Sequence, residues 1–452
     1  MASGYSANTR VSTVVEPKSH KPVQTGAILA AISATGILVN LGYQWYVLTR
    51  LGTGSQTDAL FAGMMVPQLL LTIVSGSMGY VVVPLLSIEH SESRESLAWT
   101  LFQGLWLFWA LVAVLLMLSA PVWVPIIVPG FDAQTTRLTI HLSRIQLWSL
   151  AFTGASGVQA AAYQARHRFI LAEAGPLVAA LVGLGFLLWE LPRIGIAAAA
   201  WATVLRSGCQ TVLQLPSLGR YHHPQRHPSL DLAWRRLAPL ISGASYYKAD
   251  GFVDRLLASL GPPGALSLYH VSLQLYASAH TVLNRAIVAP VVPMLARASA
   301  AAEWRNFSEV SRRRLRLMLW ITIGSIPLLL FLGRPVLSAV LGHGHFTEDR
   351  IGELWVILLL LSGVWIGGAA GQVLSTSFYS TGDTRTPMRI GVIGFTIAIL
   401  LKLMAFHAFG ITGLAIAASV YYLGNMVALL LTLRRDLRRA AVSADLRALA
   451  PL

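Results

Sequence analysis

The chain of 452 residues is 55% hydrophobic and only 12% charged, with a formal net charge of +15 and a mean hydropathy of +0.62. A soluble domain carries about a quarter charged residues, so neither a soluble enzyme nor a soluble nucleic-acid-binding protein fits this composition. Apolar runs of about 20 residues, the length that crosses a bilayer as a helix, recur along nearly the whole sequence. The ten-residue alternation of a membrane strand is missing.

In chain order, residues 1–25 read as a flexible polar arm. Twelve helical spans are then expected near 26–49, 58–86, 97–120, 138–161, 169–189, 195–218, 237–259, 266–295, 315–340, 353–378, 388–408 and 411–433. The expected fold is an all-α polytopic membrane protein with a first lobe at 26–218 and a second at 237–433, six spans in each. A basic linker at 219–236 joins them, and a basic tail at 434–452 is expected to lie on the anionic inner leaflet. A faint repeat supports the division: "RLGTGSQTDAL...VVVPLLS" at 50–87 parallels "SLGPPGALSL...PVVPMLA" at 259–296, with Pro84 and Pro293 in the same relative place. Two parallel halves are a transporter architecture, with the substrate site between them. Pro67 and Pro84 in the second span, and Pro290 and Pro293 in the eighth, either kink their helices or end them.

Charge placement fixes an expected orientation. Arg50, Arg137, Arg193 and Arg350 fall in loops on one side. The other side holds most of the rest, among them Arg94, Arg166, Arg168, Arg220, Arg226, Arg235, Arg236, the 312–316 cluster, Arg434 and Arg438. Basic residues collect on the cytoplasmic side, so both termini are expected there, and the net charge reports topology rather than nucleic-acid binding. Cys209 is the sole cysteine, so no internal disulfide can form. His222, His223, His227, His343 and His345 sit in loops without thiolate or carboxylate company, so no metal site is expected.

Charges inside spans are costly, roughly 2.5–3.5 kcal/mol each at the bilayer centre. The seventh span nevertheless carries Lys248, Asp250, Asp254 and Arg255. At about 100° per residue the two aspartates share one stripe and the two cations another, roughly 130° away. Two readings follow: a self-neutralising cluster that fixes helix packing, or a cavity wall whose cations bind an anion while Asp250 and Asp254 couple to a proton or cation. Arg144 in the fourth span, Arg206 in the sixth and Lys402 in the eleventh add buried charge. His270, Gln274, His280, Asn284 and Arg285 lie along the eighth span, and Asn40 and Gln44 form an i, i+4 polar pair in the first. The candidate substrate-binding set is Arg144, Lys248, Arg255, His270, Gln274, Arg285 and Gln44. Such an interior is wet and mainly cationic, and its natural guest is an anion such as a diphosphate.

Four segments carry a family resemblance: "LGTGSQTDALFAGMMVPQLL" at 51–70, "VPGFD" at 128–132, "GHFTEDR" at 344–350 and, most specifically, "FYSTGDTRTP" at 378–387. Together they resemble the MurJ/MviN branch of the superfamily that contains lipid-linked oligosaccharide flippases and multidrug exporters. The resemblance spans roughly 26–435. It implies a V-shaped bundle around a central cavity in a bacterial inner membrane. It also implies alternating access that moves a polyprenyl-diphosphate-linked saccharide to the outer leaflet. No cofactor is implied, and the drive would be the membrane potential or an ion gradient. The implied partners are the anionic lipid-linked glycan, membrane lipids and glycan-assembly proteins. Lipid II flippases of this branch carry cavity arginines in the first, second and eighth spans. The matching positions here are Tyr43 or Gln44, Leu71 or Thr72, and Gln274. The branch's two further C-terminal helices are also expected to be lacking, so lipid II itself is not carried over as cargo. Asp58, shared with the branch, reads as an N-cap or first-turn carboxylate. The competing expectations are a cation-coupled multidrug exporter, which would need an acidic cavity, and a membrane glycan polymerase or ligase, which would need a large outer loop.

Overall fold

The structure, a computed structural model, describes residues 22–89, 91–225 and 245–449. The expected arm up to 21, the linker from 226, the seventh span up to 244 and the last three residues, 450–452, lie outside the described residues. Among those described there is no strand. Hydrocarbon offers backbone groups no water, so a spanning segment must satisfy them within its own helix.

The first half contains α1 (Pro22–Leu51), α2 (Ser55–Gly63), α3 (Met65–Ile88), α4 (Ser91–Ile127), α5 (Ala133–Ala165), α6 (Phe169–Ile194) and α7 (Ile196–Gln214). Helices α2 and α3 together form the expected second span, broken at Met64. Pro67 lacks the N–H that would bond the Gly63 carbonyl, so the helix yields there. Pro84 stays inside α3 without ending it.

The second half contains α8 (Asp250–Ala258) and α9 (Ala265–Leu283), followed by a π turn (Asn284–Val288) and a 3-10 turn (Ala289–Val291). Then come α10 (Val292–Ala300), α11 (Trp304–Leu341), α12 (Glu348–Leu360), α13 (Ser362–Ser380) and α14 (Arg385–Leu449). Pro290 occupies the 3-10 turn and Pro293 the first turn of α10, so the pair ends one helix and starts another. Gly410, at φ 60° and ψ −138°, kinks α14 and divides it into the eleventh and twelfth expected spans.

Six helices among the described residues are long and apolar enough to cross a membrane by composition alone, and α12 with α13, bent by 41°, makes a seventh. Some of the remaining helices face protein more than lipid. Helix α5 is the clearest case: Ser143, Gln146 and Gln159 are buried on it. Gln146 Nε2 donates to Leu60 O at 3.2 Å and Gln159 Nε2 to Thr211 O at 2.8 Å. Amide-to-carbonyl bonds of this kind hold helices together where apolar contact gains little over lipid. The outer faces are the reverse, with Leu107, Leu111, Leu118 and Val122 of α4 and Trp320 and Phe331 of α11 exposed. Helices α1–α7 pack mainly among themselves, α5 against α3, α4 and α7, and α6 against α1 and α7. In the second half α13 packs on α11 and α14, and α8 lies on α14.

Candidate functional site

A cavity of about 260 Å³ lies between the two halves. Asn40, Tyr43 and Gln44 enter from α1, Gln68 from α3, Thr203 and Arg206 from α7, and His270 and Gln274 from α9. No carboxylate is among its described lining residues. Arg206 Nη1 donates to Asn40 Oδ1 at 2.5 Å, and Tyr43 Oη to Ala199 O at 2.6 Å. His270 is buried and stacks on Phe61 with ring centroids 4.3 Å apart. The interior is therefore a set of neutral donors around one guanidinium, which suits an anion with several acceptor oxygens.

Three expected residues thus meet in one place: Gln44, His270 and Gln274. Arg255 stands beside them, because its Nη1 donates to Gln68 Oε1 at 2.6 Å across the gap between halves. Lys248 bridges the same gap, its Nζ donating to Thr72 O at 3.0 Å. Arg285 is exposed and reaches Glu173 at 3.5 Å, another contact between halves. Arg144 is elsewhere. Its neighbours Ser143, Ile145 and Gln146 are buried, whereas Arg144 is exposed and its Nε donates to Met117 O at 3.1 Å. It is not among the cavity residues.

The aspartates of the seventh span do not pair with Lys248 or Arg255. Lys402 of α14 is fully buried, with Nζ 2.5 Å from Asp250 Oδ1 and 2.6 Å from Asp254 Oδ1. Asp250 and Asp254 sit one turn apart on one stripe of α8, so a single ammonium reaches both. These carboxylates are therefore paired, as a packing cluster would have them, but with a partner from another helix and with one cation for two carboxylates. Arg206, Asn40 and Lys402 were visible as polar residues deep in spans. Their partners were not, because tertiary packing sets them.

Asp58 is likewise relocated. It lies in the first turn of α2, but its carboxylate caps α9 of the other half. Gly264 N donates to Asp58 Oδ2 at 2.6 Å and Ser267 N to Oδ1 at 2.8 Å, and Ser267 Oγ also donates to Oδ1. A buried carboxylate at a helix N-terminus satisfies orphan N–H groups and meets the positive end of the dipole. Further contacts close the halves at this end. His345 N donates to Thr49 O at 2.8 Å, and Trp45 Nε1 to Val340 O at 2.5 Å. Gly344, at φ +74°, lies so close that an added Cβ would stand 2.1 Å from Thr49 O.

Gly344→Ala is expected to part the halves here, since a left-handed side chain costs about 1–2 kcal/mol before the clash is counted. Labelling of Ser259→Cys by a membrane-impermeant maleimide, in a Cys209→Ser background, should rise roughly five- to thirtyfold. Unchanged labelling would mean that these contacts do not hold the end shut.

The "FYSTGDTRTP" segment is a helix start. Asp383 Oδ1 accepts from Arg385 N and Thr386 N, each at 3.0 Å, at the first turn of α14. Asp132 of "VPGFD" caps α5 through Thr135 N at 3.3 Å.

The sequence family described as the lipid II flippase MurJ matches residues 47–448. A probable lipid II flippase MurJ of Vibrio cholerae is 22% identical over 441 residues, covering 91% of this chain and 82% of that protein. The lipid II flippase MurJ of Burkholderia cenocepacia is 20% identical over 417 residues, covering 88% and 81%. Among solved structures, a lipid II flippase MurJ in an inward closed conformation superposes with a TM-score of 0.79 at 18% identity, covering 93% of this chain and 90% of that one. A mutant of the Vibrio cholerae MATE transporter VcmN superposes with a TM-score of 0.65 at 16% identity, covering 92% and 97%. The two structural likenesses show that the chain shares the fold of those proteins.

Proposed function

The chain belongs to the lipid II flippase MurJ family, and from that premise we propose that it carries a polyprenyl-diphosphate-linked saccharide between leaflets by alternating access. The observation that carries this reading is the cavity between halves, with Arg206 and neutral donors on its walls and no carboxylate among the described ones. A sugar-diphosphate head is polar and anionic, so hydrocarbon blocks it, whereas the polyprenyl tail can stay in lipid. At about 260 Å³ the cavity is smaller than the roughly 300–1,000 Å³ of ordinary ligand sites. It admits a diphosphate, and a whole glycan head requires the halves to part.

The arginine-rich loops support a cytoplasmic assignment for the end opposite Asp58, because short basic loops stay inside. The Asp58 contacts then close the outer face. Opening would proceed from the Arg285 end, where Arg285 and Glu173 are 47% and 40% exposed and their ion pair is weak. Lys402 bonds both Asp250 and Asp254, one cation for two carboxylates. The membrane potential is the proposed drive, supplying about 2.3 kcal/mol per charge per 100 mV. A cation exporter would need an acidic wall, which this cavity lacks among its described residues.

The test is translocation in proteoliposomes holding fluorescent lipid II, a simpler polyprenyl-diphosphate saccharide or a lipophilic organic cation. Export of either diphosphate lipid, enhanced by an inside-negative potential and without movement of the cation, is the expected result. Movement of the organic cation alone would refute the reading.

A further inference from the structure

Away from the cavity, α5 exposes Arg137, His141, Arg144 and Trp148. Their spacings of four, three and four residues place them on one stripe of the helix. The stripe starts at the Asp58 end, where Gly130, in the loop before α5, lies against Ser259 and Leu260, just ahead of α9. Arg144 is the deepest of its cations. Its Nε donates to Met117 O of α4 at 3.1 Å. That carbonyl is open because Pro121, four residues on, has no N–H to give it. The bond pins the guanidinium at the level of Met117, ten residues before α4 ends at Ile127, or about 15 Å at 1.5 Å per residue. Half of the hydrocarbon thickness is also about 15 Å. The charge therefore stays near the middle of the bilayer instead of snorkelling to its surface. Arg137 and Arg144 form no ion pair with a described residue, and the two Nη atoms of Arg144 are open.

We propose that this stripe is a docking surface for a transmembrane helix of another protein, one that carries a carboxylate near the middle of its span. An exposed guanidinium is costly at that depth unless a counter-charge covers it. The open edge of Arg144 fits a carboxylate bidentately. Lipid phosphates sit at the bilayer surface, and the pinned side chain cannot rise to meet them. The diphosphate of the cargo belongs to the cavity, and no residue of the stripe lines it. A second copy of this chain does not supply the acid from its described residues. On this side Glu190 and Glu353 lie within about two turns of their helix ends. They are already bonded to Arg193 and Arg350. The occupant is thus a different chain, selected by its acid. Trp148, and Leu118 beside Met117 on α4, are exposed and add apolar contact. The inference does not depend on the identity of the cargo.

The experiment places the full chain in phosphatidylcholine vesicles with a leucine–alanine transmembrane peptide. The peptide carries a cysteine near its middle and, one turn away, Glu, Gln or Lys. In a Cys209→Ser background, Trp148→Cys reports on the stripe, and Leu328→Cys, 61% exposed on α11, reports on another outer face. Under a mild oxidant, the disulfide yield at Trp148→Cys should be about five- to thirtyfold higher for the Glu peptide than for the Gln peptide. The Lys peptide should react least. At Leu328→Cys the three peptides should react alike. The variant R137Q/R144Q should erase the preference for Glu, whereas Arg144→Lys should keep part of it. If the double variant elutes abnormally, the order of the three peptides decides by itself, because it needs no altered arginine. Equal yields for the three at Trp148→Cys would overturn the proposal, as would an equal preference for Glu at Leu328→Cys or a preference kept by a well-folded R137Q/R144Q. Loss of the preference on addition of phosphatidylglycerol would give the stripe to lipid phosphate and overturn it too.

Discussion

Lys402→Met is expected to yield little folded protein, with the surviving fraction melting far below the parent. Lys402 is 0% exposed and is the counter-charge that Asp250 and Asp254 share. Removing one partner of a buried ion pair leaves an uncompensated charge and costs about 3–5 kcal/mol. Here two carboxylates would be left, one turn apart on α8. That helix also presents Arg255 to α3, and Lys248 precedes it by two residues, so its displacement would disturb the interlobe contacts too. Thermal unfolding of the detergent-solubilised chain, followed by tryptophan fluorescence, measures the loss. The triple variant D250N/D254N/K402M removes all three charges at similar volume and should recover most of the stability. That rescue separates charge imbalance from lost packing. A Lys402→Met protein that melts like the parent would show that the triad holds nothing together.

Arg206→Met should reduce translocation roughly ten- to hundredfold, the range for losing one hydrogen bond to a charged partner of about 1.5–3 kcal/mol. Arg206 is the guanidinium on the cavity wall, tethered by Asn40 at 2.5 Å. Arg206→Lys keeps the charge but not the planar fork and should retain only part of the rate. Asn40→Ala should have a smaller effect, because the charge remains and only its aim is lost. Initial rates for a polyprenyl-diphosphate saccharide in proteoliposomes check the order. Equal rates for Arg206→Met and parent would remove this side chain from the site.

The span pattern was legible because lipid imposes a single strong rule, apolar length, and each expected span for which residues are described falls on helix. One break was legible from proline, at Pro67, and the gap expected between 388–408 and 411–433 holds the kink at Gly410. Within the site, Gln44, His270 and Gln274 could be picked out because polar residues in spans need a reason to be there. Their partners could not. Helical phase says that Asp250 and Asp254 share a stripe, but nothing local says that the stripe faces Lys402, some 150 residues further on. Asp58 shows the same limit: its place near a helix start was readable, whereas the helix that it caps belongs to the other half. Arg144 shows another limit. A charge two turns into a span suggests an interior role, whereas the phase of α5 that buries Gln146 leaves Arg144 exposed and apart from the cavity residues.

The central claim is that a diphosphate head enters between the halves, and site-specific photo-crosslinking tests it most directly. A photoreactive residue placed at Gln274 or Thr203, both on the cavity wall, should capture a radiolabelled polyprenyl-diphosphate saccharide in membranes. The same probe at Arg144, exposed and not among the cavity residues, should capture none. Capture at Arg144 with none at Gln274 or Thr203 would contradict the account.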